Sequence, residues 1–147
     1  MKIVLVEPGK EAREAEITGS LQEIQKLVDG TIRAMYPWED LVALVSNDEA
    51  KLIGMPFNRV LEDYDVIAGP FFICGIKGDH FCSLTDRQVE IYREKFRQPE
   101  LIYPNPVGIS VFHCSEQDYA AMQKWMEEKR KPPDPKKKIQ NDKGGPA

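Results

Sequence analysis

The chain has 147 residues, 41% apolar and 30% charged, with a net charge of −4. That is one domain's worth of sequence with room for a real core, and the composition is that of an ordinary globule in water. No run approaches the roughly 18 apolar residues a membrane helix needs. The opening Met-Lys-Ile-Val-Leu-Val-Glu is too short for a secretory signal and no small-residue cleavage site follows it. It reads as a first strand, and a cytoplasmic protein is expected. Cys74, Cys82 and Cys114 are odd in number and read as reduced thiols, not a disulfide framework.

The charge is uneven. Residues 129–147 hold seven Lys or Arg against two Asp, a net of +5, which leaves −9 on residues 1–128. The end of the chain, rich in Pro, Lys and Gly, has one large apolar residue and cannot bury enough surface to fold. A single α+β domain over residues 1–130 and a disordered basic tail over 131–147 are therefore expected.

In chain order, residues 2–6 (KIVLV) read as a buried strand, Pro8-Gly9 as a turn and residues 13–18 as a weak strand. Residues 20–30 predict a helix. Ser20 and Glu23 form a capping box, Leu21, Ile24, Leu27 and Val28 form the apolar stripe, and Gly30 ends it. Ile32, Ala34 and Tyr36 alternate as in a strand. Residues 41–53 predict a β-hairpin whose second arm is KLIGMP, turning at Asn47-Asp48-Glu49-Ala50. Residues 66–76 read as one strand, at an edge or bulged at Gly69-Pro70 because Pro cannot donate to a ladder. Thr85 and Gln88 cap a second helix with Val89, Tyr92 and Phe96 inward, stopped by Pro99. A short strand at 109–113 follows. Ser115 then caps a final helix that carries Tyr119, Met122 and Met126. The expected architecture is α+β: a mostly antiparallel sheet with two to three helices packed on one face.

Five stretches together resemble one known family: VEPGK at 6–10, SLQEIQKLVDGTI at 20–32, LVSNDEAKLIGMPFNR at 44–59, YDVIAGPFFICG at 64–75 and FCSLTDRQVEIYREKF at 81–96. They are similar to domain-of-unknown-function family 3846, over about residues 2–102. The resemblance implies no activity. It implies a setting, small proteins of Firmicutes, their phages and conjugative elements, in which accessory proteins often bind host or defence components.

The candidate residues follow. Asn58-Arg59 matches an Asn-Arg element of that family. Arg59 has a planar fork that fits a carboxylate or phosphate, so two readings stay open. It is either a clasp onto Glu62, Asp63 or Asp65, or a contact for a partner or anion on a surface loop. Trp38, after Pro37, is either an interaction anchor or a lid on the core. Cys74, His80 and Cys82 lie within nine residues, but their spacing fits no zinc template. No phosphate-loop pattern occurs, and no cofactor is expected. The acidic body repels nucleic acid, which only the basic tail would touch, weakly; it could instead imitate nucleic acid toward a basic protein.

The function expected is a non-enzymatic interaction protein of a phage or mobile element. It would bind and occlude a host or defence protein, as in counter-defence or CRISPR inhibition, through Trp38, Asn58, Arg59, Glu62 and Asp63. On that reading Arg59→Ala removes partner binding and leaves the melting temperature nearly unchanged. The alternatives are a small-ligand or nucleotide-sequestering protein, with an anion at Arg59 and at the N-terminus of the Thr85 helix, and a cysteine-dependent enzyme using Cys82 or Cys114.

Overall fold

The computed structural model describes residues 1–62 and 65–130. The first strand, β1 (Lys2–Val6), pairs with β2 (Arg13–Glu16) on one side and with β7 (Phe71–Lys77) on the other. On its far side β7 pairs with β4 (Val42–Asn47), and β4 with β3 (Ile32–Met35). The resulting sheet runs β2-β1-β7-β4-β3, with β8 (His80–Cys82) added against the end of β7, and every pairing is antiparallel. Two short ribbons complete the strands: β5 (Phe57–Leu61) with β6 (Asp65–Ala68), and β9 (Glu100–Asn105) with β10 (Gly108–His113). The helices are α1 (Leu21–Val28), α2 (Asp86–Lys95) and α3 (Glu116–Arg130). The α+β class and the antiparallel sheet agree with the sequence.

The helices are not gathered on one face. Ile3 and Leu5 of β1 and Val45 and Phe72 beside them pack with Ile24 and Val28 of α1. The alternate residues, Val4, Val6, Leu44, Phe71 and Ile73, pack with Val89 and Tyr92 of α2 and with Phe96. Both faces of the central strands are covered, which is why residues 3–6 and 42–45 are continuously apolar and do not alternate. Leu61 and Ile67 bring the β5–β6 ribbon onto the α2 side.

Both early helices start where their caps predict. Ser20 Oγ accepts from the Glu23 N–H at 3.2 Å, while the Glu23 carboxylate takes the Thr18 N–H instead of completing the box. At α2 the box is complete: Thr85 Oγ1 accepts from Gln88 N–H, and Gln88 Oε1 accepts from Thr85 N–H. α1 closes with Asp29 in the left-handed region (φ +60) and with Gly30 N–H on Gln25 carbonyl. No described helix is long and apolar enough to cross a membrane.

Two strand expectations fail for physical reasons. The arm expected at 51–53 does not form, and the chain turns repeatedly from Asp48 to Gly54. Asn47 drives this: its amide donates to the Val28 and Asp29 carbonyls and its oxygen accepts the Glu49 N–H at 2.7 Å, so the chain bends away from the sheet. Leu52 is left 85% exposed. The single strand expected at 66–76 is two strands. Gly69 (φ +74) and Pro70 make a corner at which β6, in the ribbon, becomes β7, the centre of the main sheet. The sequence reading also lacked β5, β8 and β9. The tail expected at 131–147 lies outside the described residues.

Candidate functional site

Asn58 and Arg59 sit in the middle of β5, not on a surface loop. The β5–β6 register shifts between Phe57 and Arg59, so Asn58 is the extra residue of a bulge. A regular strand would send residues 58 and 59 to opposite faces. The bulge turns both inward, and both are 0% exposed.

Their polar atoms are fully engaged. Asn58 Nδ2 donates to Val6 and Gly69 carbonyls, each at 2.9 Å. Arg59 Nε and Nη2 donate to the carbonyl of Phe96, the C-cap of α2, and Nη2 also to Lys10 carbonyl at 2.6 Å. Arg59 Nη1 donates to Asn58 backbone carbonyl and to Asn58 Oδ1. The pair thus ties the end of β1, the Gly69 corner and the end of α2 to one strand. Burial pulls the guanidinium down to about 10, against the opposing pull of Glu100, and it stays protonated at neutral pH.

The clasp is real, but its partners are carbonyls, not Glu62 or Asp65. A side chain with no exposed surface and no spare donor cannot present itself to a partner or bind an anion. The single anion site expected at Arg59 and the N-terminus of the Thr85 helix does not form. Thr85 caps the N-terminus of α2 while Arg59 holds Phe96 at the other end, separated by a ten-residue helix. Asp86, in the first turn of α2, is already paired with Lys2 at 2.7 Å.

Trp38 and Glu62 do come together. Trp38 Nε1 donates to Glu62 Oε1 at 2.7 Å, Lys95 Nζ reaches the same oxygen at 3.0 Å and stands 5.6 Å above the indole. The ring packs on Tyr92 and Phe96, with centroids 4.9 and 6.0 Å away. Trp38 is therefore half-buried as a lid on the α2 core, and its one polar atom is taken. The Trp38 hydrogen bond, then Lys95, holds the Glu62 carboxyl below its usual range. Asp63 lies outside the described residues.

Two of the three thiols are shifted toward the protonated form, while Cys82 sits half-buried on β8. Cys74 is buried among the α1-side core residues and pushed up to about 12 by burial. Cys114 is also raised, by burial and then by Asp118. Among the described residues no group of three His, Cys, Asp or Glu is placed to hold a metal.

An open apolar surface lies elsewhere, along α3. Only Tyr119 is buried among the described side chains of α3. It docks on Gly9, where a Cβ would stand 2.4–2.5 Å from its ring carbons. Met122 is 38% and Trp125 54% exposed. With Leu101, Cys114, Asp118 and Ala121 they line an open groove of about 560 Å³. Tyr119, Met122 and Met126 are spaced as one stripe in the sequence, and Trp125 falls outside it. The missed signal was surplus: Ala121 and Trp125 add apolar surface beside Tyr119, Met122 and Met126, more than one stripe can bury.

A family model described as a domain of unknown function, DUF3846, matches residues 1–97. The chain belongs to the DUF3846 family. The DUF3846 match ends one residue past Phe96, so β9, β10 and α3 lie beyond it, with the whole α3 groove. No curated protein and no solved structure matches the chain.

Proposed function

We propose that this DUF3846 protein is a non-enzymatic interaction protein that binds and occludes another protein through the α3 groove. The observation that carries the reading is the exposed Trp125 beside Met122, an aromatic anchor over an open apolar channel. Net charge adds a preference. Residues 1–128 carry −9, which favours a partner with a basic face. The mobile-element setting implied by the family resemblance makes a host or defence protein the favoured target, with counter-defence, CRISPR inhibition included, as the sharpest form.

The test is capture from host lysate, after nuclease treatment, with the full chain and with residues 1–130 side by side. A stoichiometric protein held by both, and lost when Trp125→Ala and Met122→Ala are combined at unchanged melting temperature, supports the reading. Capture that survives the double substitution moves the contact off α3. Nuclease-sensitive capture that requires residues 131–147 assigns the activity to the basic tail.

A second reading has its own observation. A cleft of about 450 Å³ between the 48–52 turns and β6 is lined by Arg33, Lys51, Asp48 and Asp65, with Lys51 and Asp65 paired at 2.7 Å. It is open enough for a small polar molecule. A nucleotide thermal-shift panel with a hit abolished by Arg33→Ala would support it, and a flat panel would remove it.

A further inference from the structure

β10 pairs with β9 alone, and its other edge has no strand against it among the described residues. Edge strands are ordinarily guarded by Lys, by Pro or by a bulge, because their free N–H and C=O groups are a template for another strand. β10 has none of these. Its register with β9 is unbroken from Gly108 to His113, and its sequence is Gly-Ile-Ser-Val-Phe-His. Ile109 is 44% and Phe112 57% exposed, and Val107 in the turn before them is 97% exposed.

The geometry points to a two-fold dimer in which β10 pairs antiparallel with β10 of a second copy, about an axis through Ser110. The sequence is nearly its own complement about that residue. The axis sets Ile109 opposite Val111 of the second copy, a β-branched cross-strand pair on one face. On the other face it sets Phe112 opposite Gly108 of the second copy. A Cβ at Gly108 would meet nothing within 4 Å, so the Phe112 ring has open space to lie across that glycine. An axis through Val111 instead puts Ile109 against His113 and Ser110 against Phe112, and wastes both matches.

A second copy also suits the charge better than a charged foreign strand. Residues 107–112 carry no charge, so two acidic chains meet at a neutral seam. A six-residue strand is about 20 Å long, and the patch it offers falls short of the roughly 800 Å² per partner of a standard interface. The dimer is therefore weak, and its repulsion between acidic bodies is screened by salt. The dimer uses the strand edge and not the α3 groove, so it stands or falls apart from the proposed partner binding.

Sedimentation of the full chain from about 1 to 100 µM tests the proposal, with a dissociation constant on the order of micromolar expected. The expected result is a monomer-to-dimer shift that tightens with added salt. Ile109→Lys and Phe112→Lys, at exposed sites, should each weaken it at least about tenfold. Register is read by oxidation. Ser110→Cys brings two thiols to a Cα separation of about 5 Å and should give a covalent dimer. Ile109→Cys leaves them at about 8 Å, beyond disulfide reach, and should not. A wild-type monomer at 100 µM, or equal cross-linking at both positions, overturns it.

Discussion

Residues 1–97 and residues 98–130 are built to different standards. In the first part the sheet is covered by α1 on one face and α2 on the other, and its two buried polar side chains in β5, Asn58 and Arg59, have every donor satisfied. In the second a two-stranded ribbon and one helix bury Leu101, Ile102 and Tyr119 and leave Phe112, Met122 and Trp125 outside. A two-stranded ribbon is marginal alone, and this one leans on the first part through Tyr119 on Gly9 and the Val60 N–H on Glu100. The first part covers both faces of its sheet, though it too leaves Leu41 and Leu52 at the surface. The second keeps part of its own apolar residues at the surface, where they can serve contacts.

The sharpest way to break that contrast is at Arg59. Removing it leaves the Phe96, Lys10 and Asn58 oxygens unpaired inside the core. Arg59→Ala should therefore cost about 3–5 kcal/mol in urea unfolding, with partner capture falling only as folded protein falls. This reverses the expectation drawn from the sequence. A variant with unchanged stability but no capture would restore Arg59 as a contact residue.

The reversal shows what was legible. The caps of α1 and α2 and the apolar runs of β1 and β4 are local signals, and they placed those elements. The burial of Asn58-Arg59 depends on a bulge, and the bulge depends on β6, four residues that read as the front of one long strand until the Gly69-Pro70 corner divides them. Pair register is non-local, so a single sequence carries it weakly. Arg59's nearest carboxylates in sequence were the wrong partners for the same reason: besides Asn58, the carbonyls it holds are 37 and 49 positions away. The structure decides Trp38 as lid and sets Trp125 at the surface, and neither's cover can be read from its neighbours along the chain.

The junction between the two parts gives the next largest effect. Gly9 has φ +77 and its missing Cβ leaves room for the Tyr119 ring. Gly9→Ala should cost about 1–3 kcal/mol through strain and displaced packing. The loss should be local: amide exchange should quicken along α3 and leave β1, β4 and β7 protected. Equal quickening everywhere would mean that the two parts are one cooperative unit.

The two tryptophans separate lid from surface more gently. Trp38→Phe keeps the ring on Tyr92 and Phe96 but removes the Glu62 bond, and should cost about 1 kcal/mol. Trp125→Phe, on the open side of α3, should stay within about 0.5 kcal/mol of wild type. A larger loss at Trp125 than at Trp38 would mean that the α3 groove is closed in solution.

Glu62 gives the smallest effect, and its sign is fixed. The Trp38 and Lys95 bonds lower its carboxyl in the folded protein, so the folded state prefers the ionised form. The stabilisation is complete above the ordinary carboxyl value of about 4.3 and fades as pH falls through the lowered folded value. With its side chain 36% exposed, Glu62 is screened like a surface pair and contributes less than about 1 kcal/mol. Glu62→Gln keeps an oxygen for Trp38 but gives up the charge. Its melting temperature should lie slightly below wild type at pH 7, and the gap should close as pH falls through the lowered folded value. A gap that does not narrow with falling pH would trace the loss to the backbone at residue 62, which holds φ +52, and not to the carboxylate that fastens the Trp38 lid.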